Sequence, residues 1–531
     1  MDAENQLAVL ADKPKDMDVE RVDVSLIGWL TPMAVITGVV FVFFGITTVI
    51  DLGGFGGFYD LMLTLLSIDA QTAQGAVGNL PEVIIGILGL TLTVSAIVVQ
   101  LAAQRYTPKL VDLFLADKMN IFTIFAMVFS SVYCVWILYA IRSHFVPTWG
   151  IIFLMALTTM LLVMLIPYFR YVFQFLTPSN ILGAIENNQE ATIRSAAGKE
   201  TGIHLEKIKN HAAMGLDQVS DIALSAVTQV DRNVALMSID TLCLMVRKYI
   251  PQKSEMNPDW FQPKSSHFIS ISSEFLEEIA RRKVWVEARG LMNLELIFNQ
   301  ALKNMPDAIS AIATNTRQIA LTAEENQDGE SLYFCLEYFN TYLRRAVNDR
   351  NQRAVFTLFY QYRRLGESLL AGNRPLADEI AHFIHYYGQE SMRGGIPFLM
   401  LVAAMDIGTL LQIGYRSHIP NLDTILDNFL SMSDSAEVKK VPFVHKGVRK
   451  AHVILAANLL SEGNHRPTLS KIHQSLMSET KEWLGEVKTE LMAVQKAKFW
   501  EITDRGGINF EYMTPDMKKW LEEFYAKYLD K

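Results

Sequence analysis

Few residues in this sequence stand at spacings that do chemistry. His382 and His385 lie three apart, with Glu379 one turn earlier, and on a helix that spacing presents two imidazoles to a metal ion. No third ligand and no H-E-x-x-H pattern accompanies them, so a pair of surface or core histidines is the plainer reading. The stretch Asp51–Phe58 is glycine-rich, but no strand precedes it and no phosphate-loop pattern follows, so it reads as a turn. Cys134, Cys243 and Cys335 are odd in number and form no C-x-x-C pair, which points to buried free thiols. No nucleophile elbow, kinase set or zinc signature is present. An enzyme is the least supported class, and no cofactor is expected.

The elements that hold these residues divide between lipid and water. The chain has 531 residues, half of them hydrophobic (50%), and a mean hydropathy of +0.18, high for a wholly soluble protein. Its net charge of −8 gives no support for nucleic-acid binding. Four uncharged apolar stretches, about 26–50, 83–104, 119–141 and 149–169, are each long enough to cross a hydrocarbon core as a helix. The acidic start of the chain is not a signal peptide. Lys13, Lys15, Arg21, Arg105, Lys109 and Lys118 flank one side of the expected spans and Arg142 alone the other. The positive-inside rule then puts the tail 1–24, both termini and the large C-terminal part in the cytoplasm. Arg105, Lys109 and Arg170 are candidates for lipid head-group contact on that face. On the opposite side Asp51, Asp60, Asp69 and Glu82 are all acidic. They reflect the orientation rule alone, or they form an electronegative outer mouth that concentrates cations.

The second stretch carries the most informative pattern. Glu82, Gly86, Gly89, Thr93, Ala96, Gln100, Ala103 and Thr107 recur at alternating spacings of four and three, which places small and polar residues in one stripe on a helix. Such a stripe permits close helix packing. Alternatively, symmetry-related copies line a pore with it, Gln100 or neighbouring Gln104 forming a polar ring. No Asp, Glu, Lys, Arg or His lies within the four spans, which weighs against proton-driven carriers, voltage sensors and haem proteins.

From Thr177 onward, apolar residues recur with helical spacing and no segment alternates with period two. The expected class is all-α: a four-helix transmembrane domain (25–176), a juxtamembrane helical segment (177–250), a proline-rich linker (251–269) and a cytoplasmic helical domain (270–531). Ala226–Asn233 and Ala346–Asn351 echo each other before apolar helices, which fits either an α-solenoid-like stack or an irregular helical domain. Lys439 and Lys440 begin a basic run (with Lys446, Arg449 and Lys450) that reads as a solvated face or as a contact for anionic lipid head groups.

Several stretches resemble a bacterial membrane-protein family known as domain of unknown function 2254. They are Leu66–Ala70, Ser95–Leu110, Tyr133, Val146-Pro147, Thr177–Ile181 and Leu216–Ala226. Thr228–Asn233 stands where that family usually has a Ser-Pro-Gly-Ile-Asn-Asp run. The resemblance covers about 25–250 and implies a multi-pass bacterial inner-membrane protein; it brings no activity and no catalytic residue. The expectation is a homo-oligomeric, passive ion channel with a cytoplasmic vestibule or gating domain. The alternative is a membrane-tethered scaffold that binds a cytoplasmic protein partner.

Overall fold

A computed structural model of the chain describes residues 69–105, 110–115, 117–143, 145–197, 202–264, 267–268, 271–463, 465–499 and 507–529. The N-terminal tail and the first expected span, 26–50, lie outside the described residues. The protein is all-α: among the described residues there is no strand, only two isolated bridges, Arg142 with Phe145 and Lys498 with Ile508. The chain divides into two compact units, 1–184 and 185–531.

The first unit contains Ala70–Gly78 (α1), Leu80–Arg105 (α2), Leu110–Leu115 (α3), Lys118–Ala140 (α4) and Thr148–Phe175 (α5). Long Ile, Leu, Val and Phe runs satisfy their backbone polar groups within the helix, which is what a hydrocarbon solvent demands. The stretches Ala70–Gln104, Lys118–Ala140 and Thr148–Phe175 are long and apolar enough to cross a bilayer. They contain or largely cover the second, third and fourth expected spans. Asp117 starts α4 by accepting from Met119 N (2.9 Å) and Asn120 N (3.1 Å). Residues 70–78, between the first and second expected spans, are helical, and Ala73 and Val77 bury against Cys134 and Ile137 of α4.

A fourth helix passes the same length and composition test, Phe398–Arg416. It is a core helix of the second unit. In its most apolar window 67% of residues are buried by the protein itself, against 22%, 33% and 28% in the other three.

Pro178–Ala196 (α6) contains the boundary between the units. The second unit continues with Gly202–Thr228 (α7), Arg232–Tyr249 (α8), Ser273–Arg282 (α9), Trp285–Ala301 (α10), Pro306–Glu325 (α11), Gly329–Asn348 (α12), Gln352–Leu369 (α13), Arg374–Arg393 (α14) and Phe398–Arg416 (α15). Asp423–Ser431 (α16), Ala436–Lys439 (α17), Pro442–Glu462 (α18), Arg466–Leu476 (α19), Lys481–Ala493 (α20) and Pro515–Phe524 (α21) complete it. One layer stacks α7, α10, α12, α14 and α16, and the other stacks α8, α11, α13, α15 and α18. Each hairpin therefore buries its apolar face on the next, as a solenoid does.

The echo in the sequence is turn chemistry. Asp231 N donates to Ala226 O (2.8 Å), Asp328 N to Ala323 O (2.9 Å) and Asn351 N to Ala346 O (2.9 Å). Each bond spans a left-handed residue: Val230 (φ 59), Gln327 (φ 56) and Arg350 (φ 52). The Asp or Asn that follows caps the next helix with its side chain. Valine suits that conformation poorly, since its branched Cβ crowds the backbone. Val230 is also largely exposed, so Val230→Gly sacrifices little burial. Relief of strain, less the added freedom of the unfolded glycine, is expected to stabilise the second unit by about 0.5–1 kcal/mol. Urea unfolding followed by tryptophan fluorescence checks this, and a destabilised variant contradicts it.

Two expectations are corrected. The segment 251–269 is not a linker. It forms two 3-10 turns, Ile250–Glu255 and Pro258–Phe261, and lays a fully buried Trp260 against Trp285 (ring centroids 4.9 Å apart). Its prolines end α8 and redirect the chain across the stack. Residues 185–250 consequently share one unit with 270–531; Arg289 of α10 grips Asp217 of α7 with two bonds of 2.8 and 2.7 Å. Between α19 and α20 the helix breaks, because Thr480 caps a new helix by accepting from Trp483 N (3.3 Å).

Candidate functional site

The α2 stripe comes to the surface of its own chain. Gly86, Gly89, Thr93, Ala96, Gln100 and Gln104 are exposed, as is Glu82. A Cβ placed on Gly86 or Gly89 would meet nothing within 4 Å. Thr93 turns its hydroxyl back to Gly89 O (2.8 Å), which leaves its methyl group on the stripe. The face packed on α4 and α5 is a different one, with Ile84, Thr91, Ser95 and Val99 buried. Ala103 departs from the expectation: it is 8% exposed, because a four-three repeat drifts around a 3.6-residue helix and carries Ala103 toward the packed seam. Thr107 lies outside the described residues.

Beside the stripe α2 also exposes Ile85, Leu90, Ile97 and Leu101. The outward faces of the neighbouring helices are bulky and apolar. On α4 they carry Phe122, Phe125, Phe129 and Trp136, and on α5 Phe153 and Ile166, all more than half exposed or nearly so. Bulky apolar side chains suit acyl chains, whereas glycines and an amide leave a groove that lipid fills poorly.

The buried side of the first unit holds a polar knot that sequence reasoning missed. Tyr168 of α5 donates to Asn120 Oδ1 of α4 (2.8 Å), and Ser95 Oγ of α2 lies 3.4 Å from the Tyr168 hydroxyl. Asn120 Nδ2 in turn donates to Phe114 O (3.2 Å). The signal was an asparagine and a serine inside apolar runs, the residues that hydrogen-bond across membrane helices.

The acidic candidates separate. Asp69 caps α1, its carboxylate accepting from Gln71 N (3.2 Å) and Thr72 N (3.3 Å), while Glu82 is exposed in the first turn of α2. Asp51 and Asp60 lie outside the described residues. Among the head-group candidates, Arg170 is exposed near the end of α5; Lys109 and the Arg105 side chain lie outside the described residues. Lys439 and Lys440 are exposed beside α17. The rest of that basic run is consumed inside the second unit. Lys446 pairs with Glu486 and Glu490, Lys450 with Glu490 and Glu511, and the fully buried Arg449 with Glu479, Ser475 and Ser478.

The histidine pair does not converge. His385 is buried: its Nδ1 donates to Asn428 Oδ1 (2.6 Å) and its Nε2 accepts from Gln389 (2.9 Å), so neither ring nitrogen is open to a metal. Burial holds this imidazole neutral by pushing its pKa down. His382 is exposed, and no group of three metal-ligating side chains exists among the described residues.

A buried titratable cluster lies elsewhere. Lys253 Nζ reaches Glu287 Oε1 (2.8 Å), Asp328 Oδ2 (2.5 Å) and Ser331 Oγ (2.9 Å), and Glu287 is fully buried. Burial opposes the ammonium charge, but the two carboxylates outweigh it and hold the Lys253 pKa above the ordinary lysine range. The cluster joins the 3-10 turn after α8 to α10 and to the cap of α12, which is a structural task.

No curated protein matches the chain. A solved structure described as a circular tandem repeat protein with novel repeat topology and enhanced subunit contact surfaces is similar at 14% identity. That alignment covers 86% of this chain and 95% of the other, with a TM-score of 0.30. Residues 28–213, which contain most of the first unit and the start of the second, match the model of the family described as Predicted membrane protein (DUF2254).

Proposed function

We propose that this membrane protein is a homo-oligomeric, passive ion pore of the bacterial inner membrane. Copies of α2 surround a shared aqueous axis, and the helical stack forms a cytoplasmic vestibule or gate. The observation that carries the reading is the exposed stripe of Gly86, Gly89, Thr93, Ala96 and Gln100 on α2, a small and polar row beside bulky apolar neighbours, with open space at both glycines. The uncharged spans agree with it, since a passive pore needs no intramembrane carboxylate to move protons. Both termini face the cytoplasm in this reading, and Lys439 and Lys440 meet anionic lipid head groups. No enzymatic step and no cofactor enter it.

Protein reconstituted in liposomes is expected to pass small ions. Gln100→Leu replaces a ring of amides by a hydrophobic constriction, the kind that closes pores by dewetting. An added barrier of ~1.4 kcal/mol lowers flux about tenfold. Silent liposomes under every gating condition, together with an indistinguishable variant, contradict the proposal. The stacked hairpins favour one rival, a membrane-tethered scaffold, because a solenoid offers an extended surface to a protein partner. That reading expects no flux and a partner lost on deleting the stack.

A further inference from the structure

A cavity of about 730 Å³ opens in the second unit, where the first turns of α13 and α15 meet the C-terminal segment. We propose that it binds a small amphipathic organic anion, a short acyl or aryl carboxylate. The proposal is independent of the pore.

The site is built from three places in the chain. Phe356 of α13 and Phe398 and Leu401 of α15 form one wall, and Phe499, Ile508 and Phe510 form the other. The C-terminal wall is fixed by backbone bonds: Phe499 N donates to Gly507 O (2.8 Å), and Asn509 N to Ala497 O (3.0 Å). Phe356 and Phe510 meet edge to face, 6.3 Å between ring centroids, so the two walls join at one end. Phe398, Phe499 and Ile508 nevertheless remain 37, 39 and 55% exposed. Large apolar groups lining a space of this size, with a few polar groups at the edge, is the general build of small-molecule sites.

The charge at the edge selects the head group. Glu511 is the one acid of the lining, and Lys450, which it shares with Glu490, pairs with it at 2.7 Å. Arg353 supplies the cation. It makes an interaction within the chain, but a guanidinium has five donors, and it presents a planar fork that suits a carboxylate. Gln352 and Asn509 add amides beside it. A carboxylate at the Arg353 edge with a chain or ring between the phenylalanines satisfies both halves of the site.

The test uses the full chain in lipid nanodiscs, with labelled octanoate in equilibrium dialysis and empty nanodiscs subtracted. The expected result is saturable binding of one octanoate per chain, displaced by 4-phenylbutyrate. Arg353→Gln is expected to weaken octanoate about tenfold while leaving 1-octanol binding unchanged. Ile508→Trp, at an exposed position, fills the cavity and removes both. Two outcomes overturn the proposal: no saturable octanoate binding at millimolar concentration, or binding that neither substitution alters.

Discussion

Replacing Lys253 by methionine is expected to destabilise the second unit by about 3–5 kcal/mol, the usual result of stripping one partner from a buried ion cluster. The substitution leaves Glu287, which has no exposure, and the half-sheltered Asp328 facing each other without their cation. Two carboxylates then share a site that only Ser331 still hydrogen-bonds. Adding Glu287→Gln to Lys253→Met removes one stranded charge and is expected to recover part of the loss. Urea unfolding of the two variants and the parent, followed by tryptophan fluorescence, checks this. A Lys253→Met midpoint equal to the parent's contradicts it.

Acidification gives the second large effect. His452 is fully buried; its Nε2 donates to Phe429 O (3.0 Å), and the Arg449 guanidinium lies against its Nδ1. Burial first, and the neighbouring Arg449 second, push its pKa from 6.5 down to about 3. The folded protein therefore refuses a proton that the unfolded chain accepts between those values. The contribution to stability is complete above pH 6.5 and is lost as pH falls toward 3, at about 1.4 kcal/mol per pH unit over the middle of that range. His267, His385 and His445, whose pKa values burial also lowers, act in the same direction. His452→Gln keeps a donor for Phe429 O and removes the titration. Its unfolding free energy is expected to fall less steeply between pH 6.5 and 4.5, by about 1 kcal/mol per unit. Equal slopes in variant and parent rule this account out.

The spans were legible because lipid imposes one requirement, an unbroken apolar helix, and 83–104, 119–141 and 149–169 meet it without ambiguity. The same signal flags α15, and what distinguishes it is its neighbours, since a helix buried in protein and one buried in lipid look alike in sequence. The prolines of 251–269 suggested a linker, yet Trp260 in the middle of them was a sign of burial, as tryptophan carries more apolar surface than a solvated tether keeps exposed. Lys446, Arg449 and Lys450 read as a solvated basic face because their acids come from Glu479 to Glu511, and such distant pairing leaves no local trace. The stripe on α2 was visible from spacing alone. Which way it faces was not, since the direction depends on which side of α2 meets α4 and α5.

That direction is the centre of the functional reading, and substituted cysteines report on it in intact membranes. Thr93→Cys and Gln100→Cys lie on the stripe; Leu90→Cys and Leu101→Cys lie on the exposed apolar side of the same helix. The native Cys134, Cys243 and Cys335 are buried and add little background. A charged, water-borne thiosulfonate faces a cost of at least ~2.5 kcal/mol to enter hydrocarbon, so an aqueous axis predicts reaction at 93 and 100 faster than at 90 and 101 by tenfold or more. Stripe cysteines as unreactive as the apolar ones would show that no water reaches that face.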